Sequence, residues 1–478
     1  MDPLLLTSAV QLAQAMRRRE ISPMEVMDAH IDRIHAVNPQ INAVVAERFE
    51  AARIEARAAE ERIMHEAPES LPRFLGVPFT VKELIAVKGM PFTAGVVARR
   101  HVIAEEDAPL VHRMRQAGAI PMGVTNVSEA GVWLESHNRI YGRTNNPFDS
   151  RHIAGGSSGG EGAIIAAGGS PIGIGADIGG SIRNPSYFNG IVGHKPSGGL
   201  LPTTGHWPPA EGKRARFCVS GPMGRRVGDL IAAMEVFSKS NDPYRDPGRP
   251  AFRAADSLRP EDVTIYWYTG DGLTGVDPEV EHSTRETVHE LANAGFRVEP
   301  WRPAGLRRAP EIWTALVSNS ADESLRVLLG NGEAIPLLRE WRRFFRGRSN
   351  HPFYALMMAT FDGVAEMGDG RNQRLLERRD TLRDQIESHL GERGVLLCLP
   401  YPRPAPRHNV PLRLPFAFAY CGIFNVLEMP ATAVPTGFSR DGLPLGVQVV
   451  ARRHNDPLTL WVAEQIEHIR GGWKPALV

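Results

Sequence analysis

Residues 155–183 read GGSSGGEGAIIAAGGSPIGIGADIGGSIR. Eleven of the 26 residues from Gly155 to Gly180 are glycine. A flexible linker is excluded, because Ala163-Ile164-Ile165-Ala166-Ala167 and Pro171-Ile172-Gly173-Ile174-Gly175 are apolar insertions that belong in a core. Glycine at this density instead marks backbone brought close to other backbone or to a ligand. The apolar run before Asp177 predicts a buried strand, and Ser181 falls on the turn that leaves it for a helix. Gly179 and Gly180 have no side chains to block a carbonyl group, and consecutive N–H groups there can converge on a developing oxyanion. A plain Gly-Gly-Ser turn is the simpler account of these residues taken alone.

Other glycine motifs compete for the same stretch. A P-loop needs Lys-Ser/Thr after its last glycine, and Glu161 stands there instead. Gly173 and Gly175 begin a G-x-G-x-x-G dinucleotide fingerprint, but Ile178 occupies its last position. A nucleotide-binding module using 155–180 as a phosphate cradle stays open, without its phosphate lysine. GGSSG fits the G-x-S-x-G elbow, with Ser157 or Ser158 central; that scheme needs an acid and a histidine, and His408, His454 and His468 are available.

Upstream, residues 76–83 read GVPFTVKE. Only six of the 55 basic residues are lysine, and Lys82 follows an apolar, strand-like run. Burial would lower its pKa from about 10.4 and permit a neutral base, a role closed to arginine. The alternative is a strand-end lysine that snorkels to water. Lys239 and Lys474 read as surface residues.

The rest of the chain alternates. Residues 7–65 predict helices, with Leu12, Met16, Val26, His30 and Ile34 near helical spacing. Residues 107–118 predict a helix capped by Asp107 and ended by Gly118, followed by a buried strand over 119–126. Strands at 262–268, 296–301, 394–402, 431–437 and 443–451 are interspersed with helices at 278–295 and 458–468, and 310–390 is mostly helical. Such alternation argues for a layered α/β fold.

Composition narrows the function classes. The net charge of +1, with no dense basic stripe, speaks against a nucleic-acid binder. Arg339 to Arg348 (REWRRFFRGR) reads as a solvated helix end over an apolar face. Cys218, Cys398 and Cys421 are odd in number and far apart, so neither a disulfide framework nor a zinc site is implied. The first twenty residues carry neither the basic region nor the apolar length of a signal peptide or membrane span. A cytoplasmic protein is expected.

Taken together, Lys82, Ser157 and Ser181, spaced by 75 and 24 residues, resemble the catalytic triad of the amidase signature family. Residues 118–126, Tyr141 to Pro147, Gly193-His194-Lys195-Pro196 and 425–449 look like further blocks of that family. GVTNVSE at 123–129, Glu161 after SSGG, GHKPS at 193–197 and Gly471-Gly472-Trp473 resemble its fatty-acid amide hydrolase branch. The membrane-anchoring segment of eukaryotic members is not found, so acyl-amide chemistry is expected to carry over better than a lipid substrate. Ala176 stands where many members have threonine, and Glu83 where most have aspartate.

The resemblance implies a three-layer α/β/α sandwich with a mixed central sheet and helices on both faces. It implies one amidase domain over 1–478: N-terminal helices in 1–65, a catalytic core in 75–237, a surface connection in 238–262 and a helical region at the substrate pocket in 310–390. The implied reaction is C–N amide cleavage by a Ser-cisSer-Lys triad through a covalent acyl-enzyme. Neutral Lys82 is the base, Ser157 relays the proton and Ser181 attacks. The N–H groups of Ile178, Gly179, Gly180 and Ser181 are the implied oxyanion donors, with Ser158, Asp177 and Arg183 as structural supports. Gly131, Val132 and Trp133, with Trp313, Phe344, Phe345 and Phe353, are expected to border an apolar acyl pocket. Acyl or aryl amides would suit it, as would esters or carbamates. No metal or organic cofactor is expected, the partner is a small-molecule amide, and a homodimer is left open. The rival within the family is the amidase subunit of a tRNA-dependent amidotransferase.

Overall fold

The computed structural model describes residues 1–238, 252–255, 258–320, 323–362 and 369–478. The expected surface connection over 238–262, with Lys239, falls mostly outside the described residues. Thirteen strands are described: β1 (Val44–Glu47), β2 (Pro78–Lys82), β3 (Ile120–Thr125), β4 (His137–Asn138), β5 (Gly142–Arg143), β6 (Ile172–Asp177), β7 (Val192–Lys195), β8 (Val219–Gly224), β9 (Thr264–Trp267), β10 (Arg297–Pro300), β11 (Gly394–Cys398), β12 (Ala431–Phe438) and β13 (Pro444–Val450). Eleven form one sheet in the order β1-β3-β2-β6-β8-β7-β12-β13-β11-β9-β10, and β4 pairs with β5 alone. The sheet is mixed. β2 runs parallel to β3 and β6, and β9 parallel to β10 and β11. The ladder from β6 through β8, β7, β12 and β13 to β11 is antiparallel.

Helices cover both faces, as a three-layer sandwich requires. β2, β6 and β11 are buried along their whole length, so they read as near-continuous apolar runs. Side chains alternate along a strand, and β12 uses both directions. Ala433 is paired with Gln448 of β13, and Gln448 accepts a hydrogen bond from Arg183 on the helix Arg183–Phe188. Thr432, one residue away and on the opposite face, donates to Thr459 on the helix Asp456–Arg470.

Several local expectations shift. The stretch 7–65 holds three helices, Ala9–Arg17, Pro23–Ile41 and Phe49–His65, plus the short strand β1. Reciprocal capping boxes, Ser8 with Gln11 and Ser22 with Glu25, open the first two. The helix expected at 107–118 spans Pro109–Gln116, with proline in its first turn. Asp107 does not cap it but accepts the Lys88 N–H at 2.8 Å. β8 escaped the pattern because Gly221, Pro222 and Gly224 argue against a strand. Among the described residues no helix is long and apolar enough to cross a membrane.

Candidate active site

β2 and β6 lie side by side in parallel, with Thr80 opposite Gly173 and Val81 opposite Ile174. Thr80 and Lys82 therefore share one face of the sheet. The helix Gly159–Ala166 crosses that face. Its Glu161 accepts hydrogen bonds from the hydroxyls of Thr80 on β2 and of Thr125 on β3, the latter at 2.7 Å. A side chain at residue 173 would strike the Glu161 carboxylate, so β6 needs glycine there. Burial pushes the Glu161 carboxyl up to about 7.

Lys82 ends β2 and is only 1% exposed. Its Nζ donates to Ser157 Oγ at 2.7 Å and to the Ala176 carbonyl at 3.1 Å. Burial lowers its pKa to about 7, against the opposing pull of Cys218, Asp177 and Glu161. With alanine at 176, the main-chain carbonyl makes this contact. Glu83, the other departure, turns to Thr93 and Tyr141, accepting from the Thr93 N–H and hydroxyl at 2.7 Å each. Burial raises its carboxyl to about 7.

The Gly156–Ser157 peptide is cis. Ser158 Oγ donates to the Ala176 carbonyl at 3.3 Å, and its N–H donates to the Ser181 carbonyl at 3.3 Å. The two serine-bearing loops are thereby stitched together at the carboxyl ends of β2 and β6, where open α/β sheets place their ligands. The nucleophile-elbow alternative finds no support: Ser157 pairs with Lys82 and Ser158 with Ala176, not with a histidine. His408 is engaged by Glu135 at 2.7 Å, and buried His194 by Thr432 and Asp456.

The turn bearing Ser181 is held from beneath. Arg183 Nε and Nη2 donate to the two oxygens of Asp177 at 3.0 Å each, a buried bidentate pair. Burial opposes the Asp177 charge, but the Arg183 guanidinium outweighs it and holds the carboxyl well below the usual range. Asp177 also accepts the N–H groups of Gly180 at 2.7 Å and Ile182 at 3.1 Å. This corrects the expected donor set: the Gly180 N–H points inward to a carboxylate. The N–H groups of Ile178, Gly179 and Ser181 donate to no acceptor among the described residues. Removing one partner of a buried pair strands the other charge, so Arg183→Met should lose about 3–5 kcal/mol of stability in urea unfolding. An unchanged midpoint and slope would show that the pair does not hold the turn.

A cavity of about 190 Å³ lies beside the loop 133–139. Trp133, Phe344, Phe353 and Tyr354 form an aromatic wall, and Glu135, His137, Arg139 and Asn409 a polar one. Trp133 stacks on Tyr354 with ring centroids 5.4 Å apart. The Tyr354 hydroxyl accepts the Glu129 N–H at 2.7 Å and donates to the His137 carbonyl, while His351 pairs with Glu129 at 2.8 Å. These contacts pin residues 351–354 over the loop 129–137.

Of the residues expected to border an acyl pocket, Trp133, Phe344 and Phe353 line this cavity. Gly131 and Val132 do not line this cavity; Gly131 sits instead near Ser157, where a Cβ would lie 3.6 Å from its Oγ. Phe345 is 81% exposed, because it lies on the outer side of the helix Leu337–Phe345. Trp313 lies elsewhere, against the Ile178–Gly179 turn. Glu135, His137, Arg139 and Asn409 were not foreseen, since nothing in their local sequence marks them as lining residues, and Tyr354, on the helix Phe353–Phe361, was foreseen only as part of the helical region 310–390. Residues 321–322 and 363–368 of the expected helical region lie outside the described residues. Among the described residues no three His, Cys, Asp or Glu side chains converge as a metal site requires.

A family model described as Amidase matches residues 25–460. Fatty-acid amide hydrolase 2-A of Danio rerio is 40% identical, over 99% of this chain and 90% of its own length. The acylamidase of Rhodococcus erythropolis is 31% identical, over 97% of this chain and 95% of its own. The crystal structure of a bacterial aryl acylamidase of the amidase signature family superposes with a TM-score of 0.80 at 24% identity. That match covers 98% of this chain and 97% of the other, and the likeness is one of fold.

Proposed function

Because the chain belongs to the amidase family and is a hydrolase of amide bonds, we propose that it acts through a Ser181–Ser157–Lys82 triad and a covalent acyl-enzyme. The observation that carries this reading is the 2.7 Å contact between Ser157 Oγ and the buried Lys82 Nζ. In the neutral amine one N–H goes to the Ala176 carbonyl, and the lone pair accepts the Ser157 proton over the same 2.7 Å. Ser157 in turn takes the proton of Ser181, whose Oγ attacks the amide carbonyl. The N–H groups of Ile178, Gly179 and Ser181 receive the oxyanion. The proton returns through Ser157 to the leaving amine, and water then cleaves the acyl-enzyme. Asp177, Arg183 and Ser158 support this turn without touching the reacting atoms.

An amide with an apolar acyl or aryl group is the proposed substrate. The aromatic wall of the cavity and the 40% identity to a fatty-acid amide hydrolase favour it. The phosphate-cradle alternative is disfavoured by packing. Side chains at Gly159 and Gly160 would strike Ser136 and the Asn126 backbone, so these glycines make room for protein. Hydrolysis by the purified chain alone separates this reading from an amidotransferase subunit. The direct test is labelling with a fluorophosphonate and mapping of the modified peptide. The label is expected on Ser181; a label on Ser157 or Ser158 overturns the assignment.

A further inference from the structure

We propose that Trp313 is a positioning residue for the oxyanion donors, its indole N–H setting the plane of the Ile178–Gly179 peptide so that the Gly179 N–H faces the substrate carbonyl. This deepens the reading of Ser181 as nucleophile and rests on it. Trp313 lies on the helix Ala309–Ser318, and its Nε1 donates to the Ile178 carbonyl at 2.8 Å. The C=O and N–H of one trans peptide unit are coplanar and point opposite ways. Fixing the Ile178 oxygen therefore fixes the direction of the Gly179 N–H. A hydrogen bond to the carbonyl also polarises the amide and strengthens its N–H as a donor.

The indole is itself held in place. Its ring lies against Gly179, where a Cβ would sit 3.3 Å away, and against Gly422, where one would sit 3.0 Å away. Phe418 packs edge-on with ring centroids 4.7 Å apart. The glycines leave a slot that the indole fills. The turn is thus gripped from two sides: Asp177 draws in the Gly180 and Ile182 N–H groups, and Trp313 takes the Ile178 carbonyl. Trp313 is not among the residues that line the cavity of about 190 Å³ beside the loop 133–139.

The test is Trp313→Phe, which keeps a ring and deletes the donor. Since direct loss of one oxyanion donor costs about 10²–10³-fold in kcat, the indirect loss is expected to cost roughly tenfold or more, with KM within about twofold. The fluorophosphonate reaction at Ser181 should slow by a similar factor, and the acid limb of the pH profile should stay in place. Should the phenylalanine variant fail to fold, Trp313 replaced by 3-benzothienylalanine, which has sulfur for N–H at the same shape, gives the same readings. Labelling and kcat within about twofold of the unmodified protein would overturn the proposal. So would a raised KM at constant kcat, the mark of a pocket wall. The two levels separate cleanly. A label mapping away from Ser181 in the unmodified protein defeats the parent reading. A label on Ser181 at equal rates in both proteins defeats only the role of Trp313.

Discussion

Ser181→Ala is expected to lower kcat/KM for an acyl amide by about 10⁵-fold or more while leaving the melting temperature unchanged. The large loss follows from the proposed covalent mechanism, because neither neighbouring serine oxygen can replace Oγ without losing its present hydrogen bond. Ser157 is already 2.7 Å from the amine, and Ser158 is turned to Ala176. The small effect on folding follows from what holds the turn. Asp177, Arg183 and main-chain groups do so, and Ser181 contributes its carbonyl to Ser158. The residual rate should come from binding and the oxyanion donors. Hydrolysis within tenfold of the unmodified protein would place the nucleophile elsewhere.

The second large effect concerns Lys82. A general base contributes about 10²–10⁴-fold, so Lys82→Ala should cost at least that, and Lys82→Arg about as much because arginine stays charged. The proposed mechanism needs the neutral amine, so kcat/KM should rise with pH, reach half its plateau near the lysine pKa of about 7 and fall tenfold per unit below it. A lysine near its ordinary value of about 10.4 would put the acid limb clearly above neutrality. The structure moves it to about 7, since full burial outweighs the nearby acidic groups. A histidine base titrates close to that, so the variants and not the profile alone identify the base. Stability carries the same sign. Between about pH 7 and 10.4 the unfolded lysine binds a proton that the folded one does not, so stability rises with pH across that window. That increment should vanish in Lys82→Ala. Near-normal activity in Lys82→Arg, or an unmoved acid limb in Lys82→Ala, would mean that another group is the base.

The chemistry-bearing segments were legible because they obey local rules. The strand ending at Asp177, the turn at Ser181 and the apolar run into Lys82 each combine a glycine or lysine demand with a continuous hydrophobic pattern. The later strands β9 to β13 followed the same kind of signal. β1, β4, β5, β7 and β8 did not. The first four are two to four residues long and carry no distinct strand pattern, and β8 carries a proline and glycines that argue against a strand.

By itself the sequence determined the alternating α/β order and, with the family resemblance, which lysine and serines to watch. Tertiary structure decided how those residues meet. It placed Lys82 Nζ 2.7 Å from Ser157, although 75 residues separate them. It spent the Gly180 N–H on Asp177, left the Ile178, Gly179 and Ser181 N–H groups without an acceptor among the described residues, set Trp313 against the turn and turned Phe345 to solvent. It also brought Glu135 and His137 to Phe344 and Tyr354, across more than two hundred residues. Periodicity and propensity act over a few residues, whereas hydrogen-bond direction and side-chain exposure depend on which distant surfaces the sheet brings into contact.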